Sequence, residues 1–223
     1  MDHARPLEEA AEAEPNAVAA ERLTFFGDAV IAIAITLLAL ELPVPGALTT
    51  HGVLDQISEE RGDYIAFLIS FVVIGAHWGG HHRVFRHVDR TRGPLTLLTL
   101  GWLLMQILTP FVTKVLSADG AFEFRFILYA SVQALAGLLF MLMVRQVQAH
   151  ALYRPGTPPD LFRRAYVGQG ALALGFLLSI AAVFAVGDRA YNFWFGVPVA
   201  VAVVRRIVRK RREASAARQA EPT

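Results

Sequence analysis

Residues 22–42 read RLTFFGDAVIAIAITLLALEL. Between positions 29 and 40 only Thr36 is polar. The run is close to the ~20 residues that an α-helix needs to cross a bilayer core. Lipid offers backbone groups no partners, so such a segment spans as a helix. One acidic residue, Asp28, stands near its start. A carboxylate inside a membrane helix is costly and needs a partner or a function.

Five more apolar segments follow 23–42, at 63–81, 94–112, 122–144, 165–186 and 190–208. No run of alternating ten-residue strands suggests a barrel. The 223 residues are 55% hydrophobic and 18% charged, less charged than a typical soluble domain. The expected fold is therefore an all-α membrane protein with six transmembrane helices. Pro43 and Pro45, Gly93-Pro94, the Pro-rich run at 154–159 and Gly187-Asp188 punctuate the connections, which are predicted to be short. Residues 1–21 are acidic and Ala-rich and are expected to form a disordered tail. They lack a basic stretch before an apolar run, so the first apolar helix is expected to serve as an uncleaved anchor. Residues 22–208 then make the membrane domain, and 209–223 a basic cytoplasmic tail. The absence of cysteine excludes disulfides, iron–sulfur clusters and thiolate zinc sites.

Charge sets the expected orientation. With the N-terminus inside, all of the 21 Lys and Arg residues except Arg61, Lys114, Arg125 and Arg189 fall on the cytoplasmic side. That asymmetry predicts six crossings of the cell membrane with both termini inside. The run RRIVRKRR at 205–212 would lie against the inner leaflet, where each basic residue gains up to ~1 kcal/mol from anionic lipid. Directly after a membrane helix, this reading displaces nucleic-acid binding.

At 100° per residue, Phe26, Val30, Ile33, Leu37 and Leu40 form one stripe on the first helix, with Thr36 at its edge. Asp28 lies roughly opposite Leu37. The second segment ends GAHWGGHHRVFRH and returns to the same depth. A polar cluster of Arg22, Asp28, His77, Trp78 and His81 is expected to lock the two helices near the inner surface. Gln106, Gln133 and Gln169 are expected to bond between helices. Glu41, at the outer end of the first helix, is the candidate for drawing cations to an outer mouth, with Asp55, Glu59, Glu60 and Asp63 nearby.

Arg22-x-x-x-Phe26-Gly27-Asp28-Ala29 followed by Ala32-Ile33-Ala34-Ile35-Thr36-Leu37-Leu38 resembles the first-helix signature of the prokaryotic relatives of the lysosomal potassium channel family, transmembrane protein 175. Residues 64–85, of pattern Y-x5-SF-x-VIG-x-x-W-x-x-HHR-x-F, and Leu108-Thr109-Pro110-Phe111-x-Thr113 resemble it as well. The resemblance implies homotetramers of six-helix subunits, with the first helix of each lining a central potassium pore. Constrictions in that family are aliphatic rings, which map onto Ile33, Leu37 and Leu40, with Thr36 near the pore. No enzyme activity and no cofactor are implied; the small species handled is the permeant K+. Gly27 departs from the family, which usually has Ser there, and His77 stands where an aromatic residue often precedes the Trp. His77 is therefore a candidate to supply the hydrogen bond lost with the Ser.

Two rival readings remain open at this level. His77, His81 and His82, with His87 beyond, include an i, i+4 pair that suits a metal, as in a membrane metal-binding protein or metal transporter. A secondary transporter would show inverted repeats and paired broken helices; Pro110 and Pro198 have no matching partners.

Overall fold

The computed structural model describes the backbone of residues 4–220 and the side chains of residues 16–211. Among these residues the secondary structure is helical, apart from one isolated bridge between Val88 and Tyr153. The long helices are α1 (Ala4–Leu40), α3 (Arg61–Phe85), α4 (Gly93–Ser117), α5 (Phe122–Ala149), α6 (Leu161–Val186) and α7 (Asn192–Ala220). They coincide with the six apolar segments. Five stretches are long and apolar enough to span a membrane, the last being 51 residues, Leu161–Arg211, which runs through both α6 and α7. The protein is a multi-pass membrane protein.

Two elements differ from expectation. The first helix starts at Ala4, so residues 4–21, read as a disordered tail, continue α1. Their Ala and Glu content has high helix propensity, and helix already formed downstream removes the cost of nucleation. A further short helix, α2 (Thr50–Glu59), fills the connection between α1 and α3. Thr49 caps it, its hydroxyl accepting from the Gly52 N–H at 3.1 Å. The side chain of Gln56 on α2 accepts from the N–H groups of Gly46 and Ala47, both at 3.0 Å. The Tyr64 hydroxyl donates to the Pro43 carbonyl at 2.8 Å. The loop is thus tied down on both sides.

The helices pack in a chain of neighbours: α1 on α3 and α4, α4 on α5, α5 on α6 and α6 on α7, with α3 also touching α5 and α6. Pro110 and Pro198 lie inside α4 and α7 without breaking them. Gly187, at φ 59°, ends α6 in a conformation that a β-carbon would strain, and a 3-10 turn (Gly187–Tyr191) leads into α7. Beyond the C-terminal ends of α3 and α5, the α3–α4 and α5–α6 connections are sewn together. Leu152 O accepts from Asp89 N at 2.9 Å, and His87 O from Arg154 N at 2.8 Å. Asp89 also faces Arg154 at 3.8 Å.

Candidate functional site: the first helix and its polar partners

Helix α1 buries Gly27, Ile31, Ala34 and Leu38, spaced four, three and four apart, with Ala20 one turn pair earlier. The small side chains of Gly27 and Ala34 allow close approach to α3 and α4. The aliphatic stripe is turned about 110° away from this packed face at 100° per residue. Phe26, Ile33, Leu37 and Leu40 are 50%, 58%, 45% and 79% exposed in the single chain. Other helices also expose apolar residues, as any lipid-facing surface must. The membrane stretch of α1 is little buried in the single chain, as is α7, where Trp194 is the one buried residue among those described. Much of its circumference is left for lipid or another copy. Thr36 is exposed too, and its hydroxyl donates to the Ile33 carbonyl at 2.8 Å. The oxygen keeps a lone pair free beside the stripe.

Asp28 lies on the other flank of the packed face and is half-buried. The Trp78 indole N–H donates to its Oδ1 at 2.9 Å. Trp78 in turn stacks on His82, with ring centroids 5.3 Å apart. The remaining members of the expected cluster go elsewhere. Arg22 is exposed and forms no ion pair with Asp28. One and a half turns separate the two along α1, which puts them on different faces. His77 is fully buried on the far side of α3 and makes no hydrogen bond to α1. It does not replace the hydroxyl missing at Gly27. The ring beside Gly27 belongs to His81: a β-carbon added at Gly27 would lie 3.5 Å from its Cε1 and 3.9 Å from its Nε2. His81 itself is fully buried between Phe85 and Trp102, at centroid distances of 3.9 and 4.6 Å.

That space supports a prediction. Gly27→Ser should stabilise the subunit by about 1 kcal/mol, from helix propensity and from one interhelical hydrogen bond to His81. Thermal melting in detergent should register a rise of a few degrees. A fall would show that His81 cannot accommodate the hydroxyl.

The histidines do not converge on a metal. His77 and His81 share the buried face of α3, while His82, one residue on, is exposed. Among the described residues no three His, Cys, Asp or Glu side chains come together in a way that could hold an ion. The geometry therefore does not favour the metal-binding reading.

Just past the C-terminal end of α1, Glu41 forms an ion pair with Lys114 of α4. The pair stands at the edge of a small cavity, about 50 Å³, lined also by Leu38, Asp63, Phe67, Thr113 and Ser117. The carboxylate expected to attract cations is thus charge-compensated in place. Lys114 escaped the sequence reading because it is far from Glu41 in the chain. The available signal was that each charge stands at the C-terminal end of an apolar segment.

Two of the three expected interhelical glutamines find partners. Gln133 Nε2 donates to Thr109 Oγ1 at 3.2 Å, and Gln169 Nε2 to the Ala76 carbonyl at 3.0 Å. Gln106 is fully buried with neither amide atom bonded. Unanticipated is a bonded triad of hydroxyls. Ser70 Oγ lies 2.7 Å from Thr113 Oγ1 and 3.0 Å from the Tyr129 hydroxyl, joining α3, α4 and α5.

Residues 22–110 match the family model described as endosomal/lysosomal potassium channel TMEM175. A potassium channel of Streptomyces collinus is 30% identical over 168 residues, covering 73% of this chain and 82% of that protein. A potassium channel of Chamaesiphon minutus is 38% identical over 98 residues, covering 43% of this chain and 48% of the relative. The fold is similar to the crystal structure of a lysosomal potassium-selective channel TMEM175 homologue from Chamaesiphon minutus. That match has a TM-score of 0.67 and 25% identity, and covers 83% of this chain and 97% of the other. The matched stretch contains the α1 stripe and the Asp28–Trp78 bond. This chain belongs to the TMEM175 family, a family of ion channels rather than enzymes, alongside bacterial members.

Proposed function

We propose that the chain assembles as a homotetramer around four copies of α1 and conducts potassium passively through the central pore. The observation that carries this reading is the open aliphatic stripe of Ile33, Leu37 and Leu40 on a span that is little buried within its own subunit. The potassium-channel names of the bacterial relatives support the choice of ion. In the assembly the three residues form successive apolar collars, with Thr36 hydroxyls between them. An apolar collar has no ligands for a bare ion. A narrow one excludes water and blocks flow, while a slightly wider one passes an ion that sheds part of its shell. Potassium holds its shell less tightly than sodium, so partial dehydration favours it. The collar at Ile33 is the tightest in this proposal, on the cytoplasmic half.

Both termini face the cytoplasm of a cell-membrane protein in this arrangement, which the distribution of Lys and Arg supports. The basic end of α7, exposed at residues 205–211, then rests on anionic lipid of the inner leaflet. Purified protein reconstituted in bilayers with opposed potassium and sodium solutions tests the function. The current should reverse close to the potassium equilibrium potential. Reversal near zero, or no current, would overturn the proposal.

The Glu41–Lys114 pair yields a further expectation. Four compensated pairs leave the outer mouth weakly charged. Lys114→Ala would free four carboxylates, which concentrate cations locally. Conductance should rise by roughly twofold at low ionic strength and return to the wild-type value in molar salt, where the Debye length is ~3 Å. Paired recordings at the two salt concentrations decide the matter.

A further inference from the structure

Four contacts fix the register of α3, α4 and α5. His81 stacks on Trp102, and Ser70 bonds Thr113; the two pairs are eleven residues apart on each helix. His77 and Gln106 each lie four residues from the first pair, so they stand opposite one another. Trp102 faces Phe140, and Thr109 bonds Gln133, with seven residues between on each helix. By the same count Gln106 faces Ala136, a residue too small to fill the layer. Gln169 of α6 lies within reach of the His77 ring.

This layer is polar and underbonded. Both ring nitrogens of His77, both amide atoms of Gln106, and the Oε1 atoms of Gln133 and Gln169 are buried without a partner at hydrogen-bonding geometry. On α4 and α6 it falls between the buried members of two apolar clusters, which on α3 meet at Val73 and Ile74. Along α4 the first block ends at Met105 and the second includes Val112; along α6 the division falls between Ala165 and Leu172. Gln106 and Gln169 occupy those gaps.

We propose that each subunit carries an internal water-binding site here, near the middle of its own helix bundle and separate from any central pore. The chemistry selects water. The unpartnered atoms include amide and ring N–H donors as well as amide carbonyl acceptors. A bare cation would meet the donors, and an anion would meet the carbonyls. No charged side chain compensates either one among these four residues. Water donates and accepts, and it is stable where two to four polar partners surround it. Left unmet, each buried group would carry its full desolvation penalty. Trp102 Nε1 and the His81 ring nitrogens, also unpartnered one turn further in, extend the site toward the cytoplasmic side.

Hydroxyl-radical footprinting of the full-length protein in lipid nanodiscs tests the proposal, since X-ray radiolysis oxidises a buried side chain efficiently only beside bound water. His77 should be oxidised at a rate within about tenfold of exposed His51, despite being fully buried. Gln106→Leu should cut the His77 rate severalfold and leave His51 unchanged. Should that variant fail to assemble, Gln106→Met serves the same purpose, and the wild-type rate decides by itself. Background oxidation of His77 in the wild type, or a rate indifferent to the substitution, would overturn the site. So would a high-resolution map with His77 and Gln106 bonded directly and no solvent between them.

Discussion

Ile33→Ala is expected to raise single-channel conductance severalfold and to bring the potassium-to-sodium permeability ratio close to one. Truncation removes three carbons from each subunit, twelve from the collar of the proposed tetramer. A wider apolar neck stays wet and lets both ions keep more of their shells, so the difference between their dehydration costs no longer discriminates. Leu37→Ala should act in the same direction. Leu97→Ala provides the control, because Leu97 is 71% exposed on α4, outside the stripe. Its substitution should change neither quantity. Unaltered conductance and selectivity in both stripe variants would show that these side chains contact lipid rather than ions.

Trp194→Ala should be the most destabilising single truncation, at about 3 kcal/mol or more. Trp194 is 1% exposed. Its ring packs against Tyr191, Phe126, Tyr129 and Phe176 at centroid distances of 4.8, 4.9, 4.9 and 5.1 Å. Its indole N–H donates to Ser179 Oγ at 2.8 Å. The residue therefore fastens the start of α7 to α5 and α6. Trp194→Phe retains most of the packing and should cost about 1 kcal/mol, chiefly the lost hydrogen bond. Denaturation in mixed micelles would rank the two. Selectivity should be unchanged in whatever fraction of Trp194→Ala assembles, since α7 packs on α6 rather than on α1. An alanine variant as stable as wild type would mean that α7 is held mainly from outside the subunit.

The spans were readable from the residues because lipid leaves the backbone one solution, and that constraint is local. Helix α2 was not, because a short helix among polar residues carries no span signal; Thr49 as an N-cap was the available cue. The extension of α1 back to Ala4 was missed for a similar reason: acidic, Ala-rich composition suits both a tail and a helix. Asp28 could be expected to find a donor on the second membrane helix, since its chain position set its depth. Which donor it found depended on rotation about α3. Adjacent residues on a helix point 100° apart, so Trp78 meets Asp28 while His77 turns into the bundle.

Composition and periodicity alone established that this is a bundle of membrane helices, which residues interrupt them, and which stripe on the first helix is wholly apolar. These properties follow from the transfer of individual side chains and backbone groups into lipid, and a linear pattern records them. Tertiary packing alone decided the partners: Lys114 on Glu41, His81 against Gly27, and the polar layer around Gln106. Those pairings depend on the relative rotation and register of helices distant in sequence, which hydropathy does not encode.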